Sequence, residues 1–416
     1  MTLDAELPAW ARDDAFPEAG PGWGWVDRKG NRFDCDSFAA LSRVISEDLA
    51  ARVDLVWTPD SPGLVLPEEI SELHPALKMA RIRWAEWDIE EGRRQMTIFG
   101  IAFVVLLVFG GLKIERILSN GTLGLAALLF VILGLFPWYK GRKRLQRARK
   151  WAAGEMIADA PALRFETWLA IQKAPVTRLL LGLMVLAGLT QVVVEIHAFN
   201  QRHSLHGFAS FLALINVILH LGALDGGGHV TVGNAGLSKG ALFEWWRLCT
   251  APFLHGHWLH WLMNASALAY LGKRVETFAR WPHLVMVFLI SAWIGGEASA
   301  RFTSVPSVGA SGGLMGLLGF LLVFETLHRT LVPESSRRRL LAGVVFTGII
   351  GFLFRHFIDN AAHVGGLVAG MVYAAFVFPR SSSPHRPRTT MVDVVLGGAA
   401  LGLVVSAAIF ACIKMV

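Results

Sequence analysis

Charge is scarce in this 416-residue chain: Asp, Glu, Lys and Arg make up 17% of it, against 54% hydrophobic residues and a mean hydropathy of +0.48. Those figures exclude an ordinary soluble globular protein. Cysteine is as sparse. Cys35, Cys249 and Cys412 lie far apart, without paired or metal-ligand spacing, which leaves three free thiols and argues against a zinc module or redox pair. The opening residues also lack the pattern of a cleavable leader. The first 30 residues are polar, acidic and rich in Pro and Gly, so the N-terminus is expected to stay in the cytosol. No internal repeat is found, which speaks against a transporter built from two related halves.

Where charge does occur it is partitioned. Residues 1–96 carry 19 Asp/Glu against 11 Lys/Arg, and the rest of the chain carries 13 against 28. The acidic segment reads as a small soluble α+β unit. GWGWVDRKGNRF predicts a hairpin around Lys29-Gly30-Asn31, 36–53 has helical periodicity, and 55–66 is extended but broken at Pro59 and Pro62. Residues 68–94 then predict an amphipathic helix leading to a bilayer.

The apolar body follows. Runs at 97–113 and 123–139 form a pair around Asn120-Gly121, followed by the basic stretch 140–150 and an amphipathic surface segment at 151–175. Further helices are predicted at 179–199, 257–271, 282–299, 311–326, 340–357, 360–378 and 391–413, with flanking residues completing the ~20 needed to cross a bilayer. The basic loops 140–150, 273–280, 328–339 and 380–388 fit the positive-inside rule better than a phosphate-binding face, so no nucleic-acid partner is expected. Keeping all four in the cytosol requires an even number of crossings between Lys150 and Lys273. The helices 179–199 and 257–271 supply two, so 208–224 is predicted re-entrant or interfacial within an external loop 200–254.

The fold class expected is thus an all-α, nine-crossing membrane protein with a small soluble α+β domain in front. Its segments are the soluble domain and linker helix 1–96, a helix pair 97–139, a basic linker 140–177, a six-helix core 178–379, and a linker with one last helix 380–416. Attraction to the basic 140–150 stretch would hold the acidic domain down. The alternative is a domain tethered freely by the 68–94 helix. The sequence does not set the oligomeric state.

Three strings carry the chemistry. GASGG, Gly309 to Gly313, places Ser311 within a lipid-length apolar segment, and AHVGG, Ala362 to Gly366, places His363 within another. Ionisable and polar groups at membrane depth are costly and usually functional. Gly312, Gly316 and Gly319 share one helix face; His363, Gly366 and Gly370 share another. Two such faces let backbones approach closely, as a serine–histidine hydrogen bond between helices requires. The plain alternative is small-residue packing with a polar contact. The third string, His255 to Asn264, sets His260 and Asn264 four residues apart on one face. They read as an interhelical pair or as donors to an oxyanion, with the Ser311 N–H at a helix start as a further donor. No acidic residue within these helices is placed to orient the histidine, so a Ser311–His363 dyad without a third acid is expected.

Taken in order, Trp246-Arg247, His255, H-x4-H-x3-N, G-x-S-G and A-H-x-x-G-x-x-x-G resemble the rhomboid intramembrane serine proteases. The resemblance covers 178–378, about half the chain. It implies Ser311 as nucleophile, His363 as base, His260 and Asn264 as oxyanion donors, His255 as a support of the long first loop, and Trp246-Arg247 as that loop's signature. Gly309, Gly312, Gly366 and Gly370 are the supporting glycines. Substrates implied are single transmembrane helices cut near the outer face, with no metal or organic cofactor. Met315 stands where many members carry an aromatic residue that stacks on the histidine. A non-catalytic rhomboid-like binder of transmembrane clients is the alternative of a different class.

Overall fold

The computed structural model describes residues 7–27, 29–47, 53–61, 63–109, 127, 129–203, 246–256, 258–303, 307–355 and 358–416. The predicted re-entrant segment 208–224 and the Asn120-Gly121 turn lie outside them. The chain is mostly helical and falls into two compact units, 1–170 and 171–416.

In the first unit, β1 (Trp23–Asp27) is the centre of an antiparallel sheet, with β2 (Arg32–Cys35) on one side and β3 (Val53–Trp57) on the other. Chemistry of the β1–β2 turn fixes the register. Asp27 Oδ1 accepts from the Lys29 and Asn31 backbone N–H groups at 2.8 and 2.9 Å, and Gly30 takes a φ of +85° that side chains avoid. Trp25 stacks on Phe33 across the strands, with centroids 4.3 Å apart. Helix α1 (Phe38–Glu47) lays Leu41 and Ile45, one turn apart, onto Trp25, Val56, Leu73 and Leu77. Helical periodicity is predicted over 36–53, whereas Val53 opens β3; 48–52 lie outside the described residues.

Helix α2 (His74–Phe109) is continuous for 36 residues, so the predicted linker helix and the first apolar run are one rod. After a π-helical stretch, Phe130–Leu135, helix α3 (Phe136–Lys150) carries the second apolar run straight into the basic segment. The two rods pack antiparallel through glycines: Gly92 meets Trp138, Gly134 meets Met96 and Gly141 meets Ile89. Ion pairs join them beyond the apolar portion, Arg144 to Asp88 at 2.6 Å and Arg149 to Glu86 at 3.5 Å. Attraction between acidic residues before 97 and the basic stretch therefore exists as helix-to-helix pairing. Helix α4 (Ala153–Ile171) adds Arg164, whose guanidinium bonds both oxygens of Glu69 and the backbone carbonyls of Trp10 and Arg12.

The second unit contains α5 (Pro175–His203), the short α6 (Trp246–Thr250), α7 (Trp258–Phe302), α8 (Ser311–Leu327), α9 (Glu334–Leu353), α10 (Asn360–Val377) and α11 (Met391–Met415). By length and composition, four helices among the described residues can cross a membrane: α5, α7, α10 and α11. The two predicted helices at 257–271 and 282–299 are limbs of α7, which reverses at Arg280, where φ is +74°, just before Pro282. Glu276, at the end of the first limb, accepts from the backbone N–H groups of Val176 and Thr177 and from the Thr177 hydroxyl, capping α5. Nearby, Arg274 and Glu325 are both fully buried, and Arg274 donates to Ser336 Oγ at 2.6 Å.

Candidate active site

Glycine decides how α8 and α10 meet. A Cβ on Gly366 would lie 2.0 Å from the Gly312 carbonyl oxygen, and one on Gly370 would lie 1.9 Å from that of Gly316. Both pairs keep one register, so the helices run parallel, with α10 starting about five residues ahead of α8. The second limb of α7 closes the third side. Gly295 sits against the Ala362 carbonyl and Gly312 Cα, and a Cβ on Gly316 would strike Ser291. Because Ser311 opens α8 and His363 lies in the first turn of α10, this packing brings both to one end of the three-helix cluster. Among the described residues, neither side chain takes a hydrogen-bond partner.

His260 and Asn264 approach the same end from the first limb of α7. Gly309, two residues before Ser311, has φ of +116°, and a Cβ there would lie 2.6 Å from His260 Cε1 and 3.2 Å from Asn264 Nδ2. Only glycine satisfies both the backbone conformation and the contact. The Gly309 N–H donates to the Ala251 carbonyl at 2.9 Å, anchoring the turn before Ser311 to the segment that follows α6.

His255 braces Asn264 and His260. Asn264 Nδ2 donates to His255 Nε2 at 2.9 Å, while the His255 backbone N–H and carbonyl both bond the Gln191 amide on α5. The His255 and His260 rings lie edge to face, with centroids 5.1 Å apart. Burial, and next to it repulsion from His260, pushes the pKa of His255 down to about 3, so its ring stays neutral and able to accept. An amide has two N–H donors; with one held by His255, the other is free to serve a ligand. Trp246 and Arg247 stand further off. The Arg247 guanidinium covers the Trp246 ring, which also meets Phe410 of α11 edge-on.

Two contributors escaped the sequence reading. Gln191 was visible as a lone amide in an apolar helix, a costly placement, but its partner lies 64 residues away. Asp359 sits outside the helix proper, as the cap of α10. Its Oδ1 accepts from Ala362 N at 2.9 Å, its carbonyl accepts from His363 N, and it is the acid whose charge bears on the His363 ring. An apolar groove of about 780 Å³ opens along α10 toward the second limb of α7, beside Ile290, Ile294, Phe302, Val364 and Val372. Neither Ser311 nor His260 lines it.

The comparison with known families decides the matter for this part of the chain, where residues 242–380 match the Rhomboid domain model. Residues 242–380 are a rhomboid domain. The chain is similar to Rhomboid protease GluP of Bacillus subtilis (strain 168), with 33% identity over 132 residues, 32% of this chain and 26% of that protein. It is 37% identical over 131 residues to RHOMBOID-like protein 6, mitochondrial, of Arabidopsis thaliana, covering 30% and 42%. It is also 30% identical over 171 residues to Inactive rhomboid protein 1 of Papio anubis, covering 39% and 20%. The matched stretch spans less than half of each relative. All residues from Trp246 to Gly370 discussed above lie within the rhomboid domain, whereas the first unit and α11 lie outside it.

Proposed function

We propose that this protein is an intramembrane serine endopeptidase that cuts transmembrane segments of membrane proteins, with Ser311 as nucleophile and His363 as general base. The observation that carries the reading is the convergence of Ser311, His363, His260 and Asn264 at one end of a glycine-packed helix cluster. In this reading Ser311 Oγ attacks the scissile carbonyl and passes its proton to His363, which returns it to the leaving amine. The developing oxyanion is received by the Ser311 N–H, by His260 and by the second amide N–H of Asn264. Each such donor contributes about 10²–10³ in rate. Gly309 sets the spacing between donors and nucleophile.

The depth of the site follows from helix length. Helix α8 has 17 residues, about 26 Å at 1.5 Å per residue, against a hydrocarbon core of ~30 Å. If its far end meets the cytosolic face, Ser311 lies below the outer surface. The accompanying architecture is a six-helix catalytic core (α5, both limbs of α7, α8, α9 and α10), two preceding membrane helices at 97–113 and 123–139, and α11 as an additional crossing. The N-terminus and the basic loops face the cytosol.

Similarity to an inactive rhomboid protein sustains a second reading, a non-catalytic binder of transmembrane clients. One experiment separates them. Wild-type protein and Ser311→Ala are compared for labelling by a fluorophosphonate and for cleavage of a model transmembrane substrate. The protease reading expects both signals in wild type alone; a wild-type protein that neither labels nor cleaves is the binder.

A further inference from the structure

Where α2 and α3 leave their apolar portions, the surface carries an ordered band of aromatic and cationic side chains. Three aromatic–cation pairs lie along the first half of α3, the two partners of each one turn apart. Lys140 Nζ lies 4.1 Å from the Phe136 ring centre, Arg142 Cζ 5.0 Å from Trp138, and Lys143 Nζ 4.7 Å from Tyr139. Toward the other end of α3 the pattern changes. Arg144 pairs with Asp88 at 2.6 Å, Arg147 with Asp159 at 2.7 Å and Arg149 with Glu86 at 3.5 Å. Among the described residues, Lys140, Arg142 and Lys143 have no carboxylate in ion-pair range, and neither does Arg93 on the facing helix. Internal acids thus neutralise Arg144, Arg147 and Arg149 and leave Lys140, Arg142 and Lys143 next to the apolar portion, with Lys150 at the far end of the helix.

The position of this band identifies what neutralises it. Beyond it lies exposed hydrocarbon on both helices: Ile98, Ile101, Val104 and Val108 on α2, and Val131, Leu133 and Leu135 before α3. Gly134 against Met96 and Gly92 against Trp138 bring the two apolar limits to one level. Exposed aliphatic surface, then aromatics, then unpaired cations is the order in which a bilayer presents hydrocarbon, interface and headgroups. Burial, with a smaller repulsion from Arg144, also holds the Lys140 ammonium below the usual lysine value against the pull of Asp88. An external anion would relieve that.

We infer that Lys140, Arg142 and Lys143, with Phe136, Trp138 and Tyr139, form a binding surface for anionic phospholipid headgroups. This goes beyond the proteolytic reading and does not depend on it. Each cation near an anionic surface is worth about fivefold in binding, and the three together on the order of a hundredfold. The full-length protein in detergent is titrated with phosphatidylglycerol or phosphatidylcholine and the bound lipid counted by native mass spectrometry. Wild type is expected to prefer the anionic lipid. Lys140→Gln/Arg142→Gln/Lys143→Gln should lose most of that preference, whereas Arg144→Gln/Arg147→Gln/Arg149→Gln, with the same loss of charge, should keep it. An unchanged preference in the first variant, or equal loss in both, overturns the inference. Should the first triple variant not purify as a single species, Lys143→Glu alone is read the same way: a severalfold fall supports the site, no change overturns it. Inorganic phosphate replacing chloride at equal ionic strength should not displace the lipid; displacement would make this a site for free anions and overturn the lipid assignment.

Discussion

Replacing Gly366 by alanine tests the contact on which the proposed dyad depends. The added methyl would sit 2.0 Å from the Gly312 carbonyl oxygen, whereas ordinary contact begins near 3.4 Å. Helices α8 and α10 must part by about 1.4 Å, because the opposing atom is backbone and cannot rotate away. Overpacking of this kind costs about 1–3 kcal/mol, so the thermal midpoint in detergent should fall by several degrees. Turnover should suffer more. Ser311 is next to Gly312 and His363 lies one turn before Gly366, and a misplacement near 1 Å costs about 10²-fold in rate. Gly402→Ala on α11 is the control, since nothing lies within 4 Å of its added methyl; it should leave turnover and midpoint nearly unchanged. The readouts are cleavage of a model transmembrane substrate and unfolding of the same preparations. Gly366→Ala cleaving at the wild-type rate would refute the positioning role, and an unchanged midpoint would refute the close packing itself.

Other expectations follow from single residues. Gly309→Ala combines a φ of +116° with a clash against His260, and should cut turnover at least about 10²-fold with helical content unchanged; full turnover would detach the Gly309 turn from the proposed oxyanion donors. His255 stays neutral to about pH 3 when folded, whereas unfolded it takes up a proton near 6.5, so stability should decline as pH falls through that window, by up to ~1.4 kcal/mol per unit. His255→Gln should flatten this slope in unfolding experiments between pH 6.5 and 4, and parallel slopes would contradict the buried neutral ring. Asp359→Asn keeps an amide able to cap α10 while removing the charge beside His363, so turnover should drop about tenfold at an unchanged midpoint. An equal drop in midpoint would assign Asp359 to capping alone.

Legibility in the sequence tracked the kind of interaction. Ser311, His363, His260 and Asn264 stood out because a polar group inside an apolar run needs a reason, and the glycines at Gly312, Gly366 and Gly370 announced close backbones by spacing alone. Gln191 carried the same signal, but its meaning resides in a loop distant along the chain. Asp359 was overlooked because it caps α10 from outside the helix, where acids are commonplace. The reversal at Arg280 was concealed by the helical periodicity on both sides of it. For α2 the sequence misled in another way. Its charge pattern changes abruptly at Met96, which marks a change of environment and not of structure, since nothing between Arg93 and Ile98 breaks a helix.

That unbroken rod imposes a rule on length. From His74 to Phe109 it extends about 54 Å, with the sheet packed on its first turns and exposed aliphatics on its last. One residue inserted between Arg94 and Ile98 would swing the sheet through about 100° around the rod axis while advancing it only about 1.5 Å. It would also put Gly92 out of step with Trp138. Exposed loops such as 59–61 have no such constraint. Across descendants of this gene, insertions and deletions should therefore be common in those loops and nearly absent from the middle of α2, save in steps of about seven residues that restore the angle. The rod behaves as a gauge: its residue count sets both the height and the compass bearing of the domain it carries.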